Sequence, residues 1–118
     1  MPKQAILFIV DTQGTNFVGC YGGGEAVGTP NINAMAASGI RFDRARTVSP
    51  VCGPARSALF TGQPPAVNRV LGNDAAPGID CPTVGQRLSP HGIECGYIGK
   101  WHLGNSPVTS PASESHWP

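Results

Sequence analysis

The first long apolar run in this chain is continuous rather than alternating: Ala5-Ile6-Leu7-Phe8-Ile9-Val10. An unbroken run of this length fits a strand covered on both faces, as in α/β sheets flanked by helices. Asp11 follows at its carboxyl end, the edge of an open α/β sheet where ligands bind, so the carboxylate is placed for a metal. The same residue also suits a turn leading into Thr12-Gln13-Gly14. Helical spacing comes next. Thr29-Pro30-Asn31, then Ile32, Met35 and Ala36, then Gly39, supply a cap, a first-turn proline, one apolar stripe and a stop, which predicts a short helix. Ile40 to Val48 alternates loosely and is predicted to be extended. A second helix is predicted from near Pro54 to Gly62. A third runs from about Pro82 through Val84 and Leu88 to Ser89, where Pro90 ends it because the residue before a proline avoids helical geometry. Gly96-Tyr97-Ile98-Gly99-Lys100 reads as another strand. Residues 1–104 form one region, and from residue 105 Ser, Pro and Thr dominate without periodicity, so 105–118 is expected to be a disordered tail.

Composition narrows the picture. A chain of 118 residues is one domain at most, and folding buries roughly two-thirds of the surface its unfolded form exposes. Sixteen glycines and twelve prolines in that length require many turns, hence short elements. The net charge of +1 comes from singly scattered Lys and Arg. No basic face exists to attract phosphate backbones or anionic lipid, which argues against nucleic acid and membrane as partners. The longest apolar run is far shorter than the roughly 20 residues of a membrane helix, and it ends at Asp11 without a small-residue cleavage site, so the expected location is cytoplasmic. The four cysteines form no C-x-x-C pair, and Cys20, Cys81 and Cys95 are expected to be small buried hydrophobes.

Cys52 stands apart because of its neighbours, Ser49-Pro50-Val51-Cys52-Gly53-Pro54-Ala55-Arg56-Ser57-Ala58-Leu59-Phe60-Thr61-Gly62. If Pro54 opens a helix, Cys52 lies just before its N-terminus, where N–H groups and the positive dipole end stabilise a thiolate or a bound anion. Arg56 lies one turn on and shares that face if the turn is helical, aiming a permanent cation at the same anion. The spacing alone favours a buried loop cysteine beside a solvated arginine.

Cys52-Gly53-Pro54-Ala55-Arg56 resembles the C-x-P-x-R signature of sulfatases, and Ser57 to Gly62 resembles the segment that follows it. Two further blocks stand in the family's order: Asp11 with Gly19-Cys20-Tyr21-Gly22, and Gly99-Lys100-Trp101-His102-Leu103-Gly104. The resemblance implies a sulfuric ester hydrolase acting on a small-molecule or carbohydrate sulfate ester. Its Cys52 would be oxidised by a formylglycine-generating enzyme to formylglycine. One hydroxyl of the hydrated aldehyde attacks sulfur, and the other then expels sulfate as the aldehyde reforms, which splits one difficult step into two. By the same resemblance Arg56 holds the hydrated aldehyde, and Lys100 and His102 contact sulfate and the departing or attacking oxygen. In an extended segment residues two apart face the same way, so Lys100 and His102 converge while Trp101 turns to packing. His102 then serves as acid or base and Lys100 as an electrostatic clamp. Outside the resemblance, His102 reads as a structural histidine. Asp11 and the modified Cys52 would touch a divalent ion, usually calcium.

The resemblance implies an alkaline phosphatase-like α/β fold, a sheet with helices on both faces, present here only in part. Thr12 occupies the place where the family commonly has a second aspartate. Further metal ligands and another Lys or His are expected downstream, so the chain is read as truncated, with a frameshift near Gly104 as one cause. Two alternatives stay open: a phosphodiester or phosphonate monoester hydrolase of the same superfamily, and an inactive remnant.

Overall fold

A computed structural model of the protein describes residues 4–23 and 27–104. The chain divides into two compact units, Met1–Ala45 and Arg46–Pro118. The proposed tail, 105–118, lies outside the described residues.

In the N-terminal unit the helix α1 spans Pro30–Ser38, with Thr29 at its N-cap and Gly39 at its C-cap, as the sequence predicts. Proline in the first turn costs nothing there, because that N–H has no intrahelical acceptor. The Thr29 hydroxyl does not cap its own helix. It accepts from the Gly19 N–H at 2.9 Å and donates to Asn33 Oδ1 at 3.2 Å, tying α1 to two short 3-10 turns, Thr15–Phe17 and Gly19–Tyr21. Gly19 permits this approach, since a Cβ there would meet Asn33 Nδ2 at 2.6 Å. Arg41 lies over the Tyr21 ring and donates to the Cys20 carbonyl and to Asp43 at 2.7 Å. The hydrogen bond to Asp43, and then its charge, raise the Arg41 pKa above its usual value. Among the described residues of this unit only Val18 is a buried hydrophobic side chain, and α1 buries none.

The C-terminal unit holds the better core: Phe60, Val70, Cys81 and Leu103, with the polar Arg56, Ser57, Thr61 and Asn68 also buried. Helix α2 spans Cys52–Thr61 and ends at Gly62, whose φ of 69° is the left-handed C-cap that glycine adopts without strain. Helix α3, Pro65–Asn68, packs on α2. Asn68 is fully buried. Its amide donates to the Gln63 carbonyl at 2.9 Å and to Thr61 Oγ1 at 3.4 Å, and its Oδ1 accepts from the Val70 N–H at 3.0 Å. Helix α4, Val84–Leu88, opens with a capping box between Thr83 and Gln86; Ser89 keeps helical angles (φ −54°, ψ −45°) although it precedes Pro90, so the chain runs on through a 3-10 turn, Ser89–His91, and turns at Gly92 with a φ of 70°.

The expected sheet is not formed: among the described residues there is no paired strand. Ala5 to Val10 is unpaired, with Ile6 91% and Phe8 84% exposed. A strand is completed by neighbours, and no described segment supplies one. Ile40 to Val48 is interrupted by a turn at Asp43 and Arg44 rather than extended. Gly96 to Lys100 likewise belongs to no sheet among the described residues, and Gly99 has a φ of 112° that bends the chain. Two of the three cysteines expected to be buried, Cys20 and Cys95, are half-exposed, and only Cys81 is buried. All four cysteines are free thiols.

Candidate active site

Helix α2 begins at Cys52, two residues earlier than Pro54 suggests, so Cys52 is the first residue of the helix rather than its precursor. Residues four apart on a helix share a face, which puts Cys52 and Arg56 on one side. The N-terminus is secured from a distance. Asn73 Oδ1 accepts from the Gly53 N–H at 2.9 Å, in place of a capping side chain at Val51. Gly53 is needed for this, because a Cβ would come within 3.1 Å of both the Asn73 Cα and the Gly72 carbonyl oxygen. With the Gly53 N–H engaged and Pro54 lacking one, the first turn leaves the Cys52 N–H to face an anion. That is fewer donors than a bare helix start would offer.

Arg56 is 7% exposed. Its Nη1 donates to the Lys100 carbonyl at 2.7 Å and lies 3.4 Å from the Tyr97 hydroxyl, which itself donates to the same carbonyl. The expected solvated arginine is therefore excluded. The guanidinium binds α2 to the Lys100 segment across 44 positions of sequence. An aromatic cluster backs this tie, with Phe60 and Trp101 ring centroids 5.0 Å apart, Tyr97 and Trp101 5.2 Å, and Phe60 and Tyr97 5.6 Å.

Lys100 is exposed, Trp101 packs on Phe60, and His102 is half-buried. Trp101 thus turns to packing as anticipated, but the reason differs. His102 has a φ of 55°, so the segment is not extended and simple alternation does not set the directions of Lys100 and His102. The His102 Nδ1 is buried without a hydrogen-bond partner, as are the Ser57 hydroxyl and Gln63 Oε1 in the same unit.

Cys52, Arg56, Lys100 and His102 belong to the C-terminal unit, and Asp11 to the N-terminal one. Asp11 forms a turn with Thr12, whose φ of 55° is unusual for a β-branched residue. Among the described residues no three His, Cys, Asp or Glu side chains gather as a metal site. A hard divalent ion takes six or more oxygen ligands, and Asp11 offers at most two, so the described residues do not complete a site for calcium. An open groove of about 500 Å³ in the N-terminal unit is lined by Cys20, Asn33, Ala36, Ala37, Arg41 and Asp43, and none of the five expected residues lines it.

Tyr97 and Asn73 were not legible as site residues. Asn73 lies 20 positions from the amide it holds, and no local pattern announces that pairing. Tyr97 was read as a strand residue, although an aromatic three residues before Lys100 and four before Trp101 was a usable signal.

Comparison with known proteins identifies the family. The chain matches the Sulfatase family over residues 3–116. It is 47% identical over 104 residues to an uncharacterised sulfatase, YidJ, of Escherichia coli, covering 87% of this chain and 21% of that protein. It is 33% identical to an N-acetylglucosamine-6-O-sulfatase of Bacteroides thetaiotaomicron, covering 95% of this chain and 19% of the relative. It is likewise 33% identical to human arylsulfatase A, covering 90% and 22%. The chain belongs to the sulfatase family. It spans about a fifth of the length of these curated relatives. No solved structure is matched significantly.

Proposed function

We propose that this chain is the nucleophile-bearing segment of a sulfuric ester hydrolase, with Cys52 as the residue matured to formylglycine. The observation that carries the reading is the arrangement on α2: Cys52 and Arg56 share a face, and Arg56 is bonded to the Lys100 carbonyl. Two of the motif blocks would thus supply one anion-directed cluster, Cys52 and Arg56 from α2 and Lys100 and His102 from the segment bonded to it. The modified residue supplies a geminal diol, one oxygen of which displaces the alcohol from sulfur while the other, losing its proton, releases sulfate. Arg56 contributes a buried permanent charge on that face. Lys100 supplies an ammonium to offset charge on sulfate oxygens, and His102 exchanges a proton with the attacking or departing oxygen. Asp11 contributes one carboxylate towards a divalent ion in the whole protein, and no step is derived through that ion. The sheet with helices on both faces belongs to the same proposal, as does a sulfated small molecule or carbohydrate as substrate.

Thr12 stands where a second aspartate is common, a departure shared by some sulfatases and by some phosphonate or phosphodiester hydrolases, so the latter are the second reading. A side-by-side rate assay on an aryl sulfate and an aryl phosphonate, after co-expression with a formylglycine-generating enzyme, separates them. The sulfatase reading expects faster turnover of the sulfate and its loss in Cys52→Ala. Preference for the phosphonate supports the alternative, and no turnover of either supports an inactive remnant.

A further inference from the structure

Tyr97 lies outside the motif residues, yet its hydroxyl sits where two of them meet. The Lys100 carbonyl accepts from both Arg56 Nη1 and the Tyr97 hydroxyl, and the hydroxyl is within 3.4 Å of the guanidinium. The three groups close a ring, with the phenol as donor to the carbonyl and neighbour to the cation. Two non-regular backbone positions flank this carbonyl, Gly99 at φ 112° and His102 at φ 55°. This bend, with its left-handed backbone at the non-glycine His102, holds only where its surroundings over-determine it. The surroundings here are the ring of hydrogen bonds on one side and the stack of Tyr97, Phe60 and Trp101 on the other.

We infer that Tyr97 is a positioning residue: through the Lys100 carbonyl and Arg56 it fixes the bend that presents Lys100 and His102 beside helix α2. The inference rests on the reading of Lys100 and His102 as sulfate-facing residues. Tyr97 touches no reacting atom. Its hydroxyl and the carbonyl both lie at Arg56 Nη1, which holds that end of the guanidinium in place. The ring and the hydroxyl do separate things. The ring fills the space against Phe60 and Trp101, and the hydroxyl places the carbonyl.

The test uses the full chain with Tyr97→Phe, which keeps the ring and removes the hydroxyl. Three quantities are read by nuclear magnetic resonance: the Lys100 carbonyl carbon shift, the left-handed backbone shifts of His102, and affinity for inorganic sulfate. Tyr97→Phe is expected to move the Lys100 carbonyl upfield, erase the left-handed signature of His102, and weaken sulfate binding about tenfold, the effect of losing one hydrogen bond to a group that sets a charged site. The ring contacts of Trp101 are expected to persist, so a purely structural role of Tyr97 would not reproduce this pattern. Unchanged Lys100 and His102 signals overturn the inference, as does unchanged sulfate affinity when those signals do move. If Tyr97→Phe does not fold, 3-fluorotyrosine at position 97 decides. Its more acidic hydroxyl is a stronger donor and is expected to shift the Lys100 carbonyl the opposite way, and no shift overturns the inference. Absence of sulfate binding by the unaltered chain, with the carbonyl and His102 responding as expected, sustains the positioning role and refutes the sulfate-facing reading instead.

Discussion

Ser57 is fully buried on α2, and its hydroxyl has no hydrogen-bond partner. A buried unsatisfied hydroxyl is a standing cost, and alanine is the better helix former. Ser57→Ala is therefore expected to raise stability by about 0.5–1 kcal/mol, measured by urea unfolding followed through Trp101 fluorescence, and a loss of stability would show that the hydroxyl is satisfied after all. Asn68 is the opposite case, since its amide joins Thr61, the Gln63 carbonyl and the Val70 N–H in the interior. Asn68→Ala strands those groups and is expected to cost about 2–3 kcal/mol in the same assay. Thr12 holds a left-handed backbone that asparagine tolerates better, so Thr12→Asn is expected to stabilise the Asp11 turn by about 1 kcal/mol, read as slower amide exchange there. The exposed Arg41 pair adds no pH dependence in the neutral range. Its pKa is raised, so its contribution is present below the unfolded value and is lost only as strongly alkaline pH passes the folded one.

At the scale of elements, α2 is the informative unit. It buries Gly53, Pro54, Arg56 and Ser57 while leaving Cys52 half-buried. An enzyme that reads Cys52 through Arg56 therefore cannot grip those residues in the folded helix. Conversion of Cys52 is expected to be at least several-fold faster on the unfolded chain than on the folded one, followed by mass spectrometry, and equal rates would contradict this. The helices were legible in sequence where the signals are local: Thr29-Pro30 with Gly39 bounds α1 and Gly62 ends α2, whereas Pro90 does not force Ser89 out of helical angles and sits inside the 3-10 turn that follows α4. The two-residue error at the start of α2 has a physical cause, because the stabilising acceptor is Asn73 and not a neighbouring cap. The strands were not recoverable in the same way. Ala5 to Val10 has the composition of a covered strand, but pairing is a property of its neighbours. In Gly99 to His102 the two positive φ angles override alternation. Cys52 and Arg56 were singled out by the resemblance of their motif and not by spacing, and the tie from Arg56 to Lys100 requires the fold.

For the molecule as a whole, the exposed run of Ile6, Leu7 and Phe8 offers apolar surface and unpaired backbone together. Such segments pair with one another. Sedimentation at increasing concentration is expected to show self-association, and a double change of Ile6→Lys with Phe8→Lys is expected to abolish it; association that survives the change would place the sticky surface elsewhere. Among the described residues no helix is long and apolar enough to cross a membrane. The central claim is narrower than stability or assembly: Cys52 is the nucleophile precursor of a sulfatase. Peptide mapping of Cys52 after co-expression with a formylglycine-generating enzyme tests it most directly. The account predicts loss of the thiol and appearance of an aldehyde at position 52. An unmodified thiol there, under conditions that convert a control sulfatase, would contradict it.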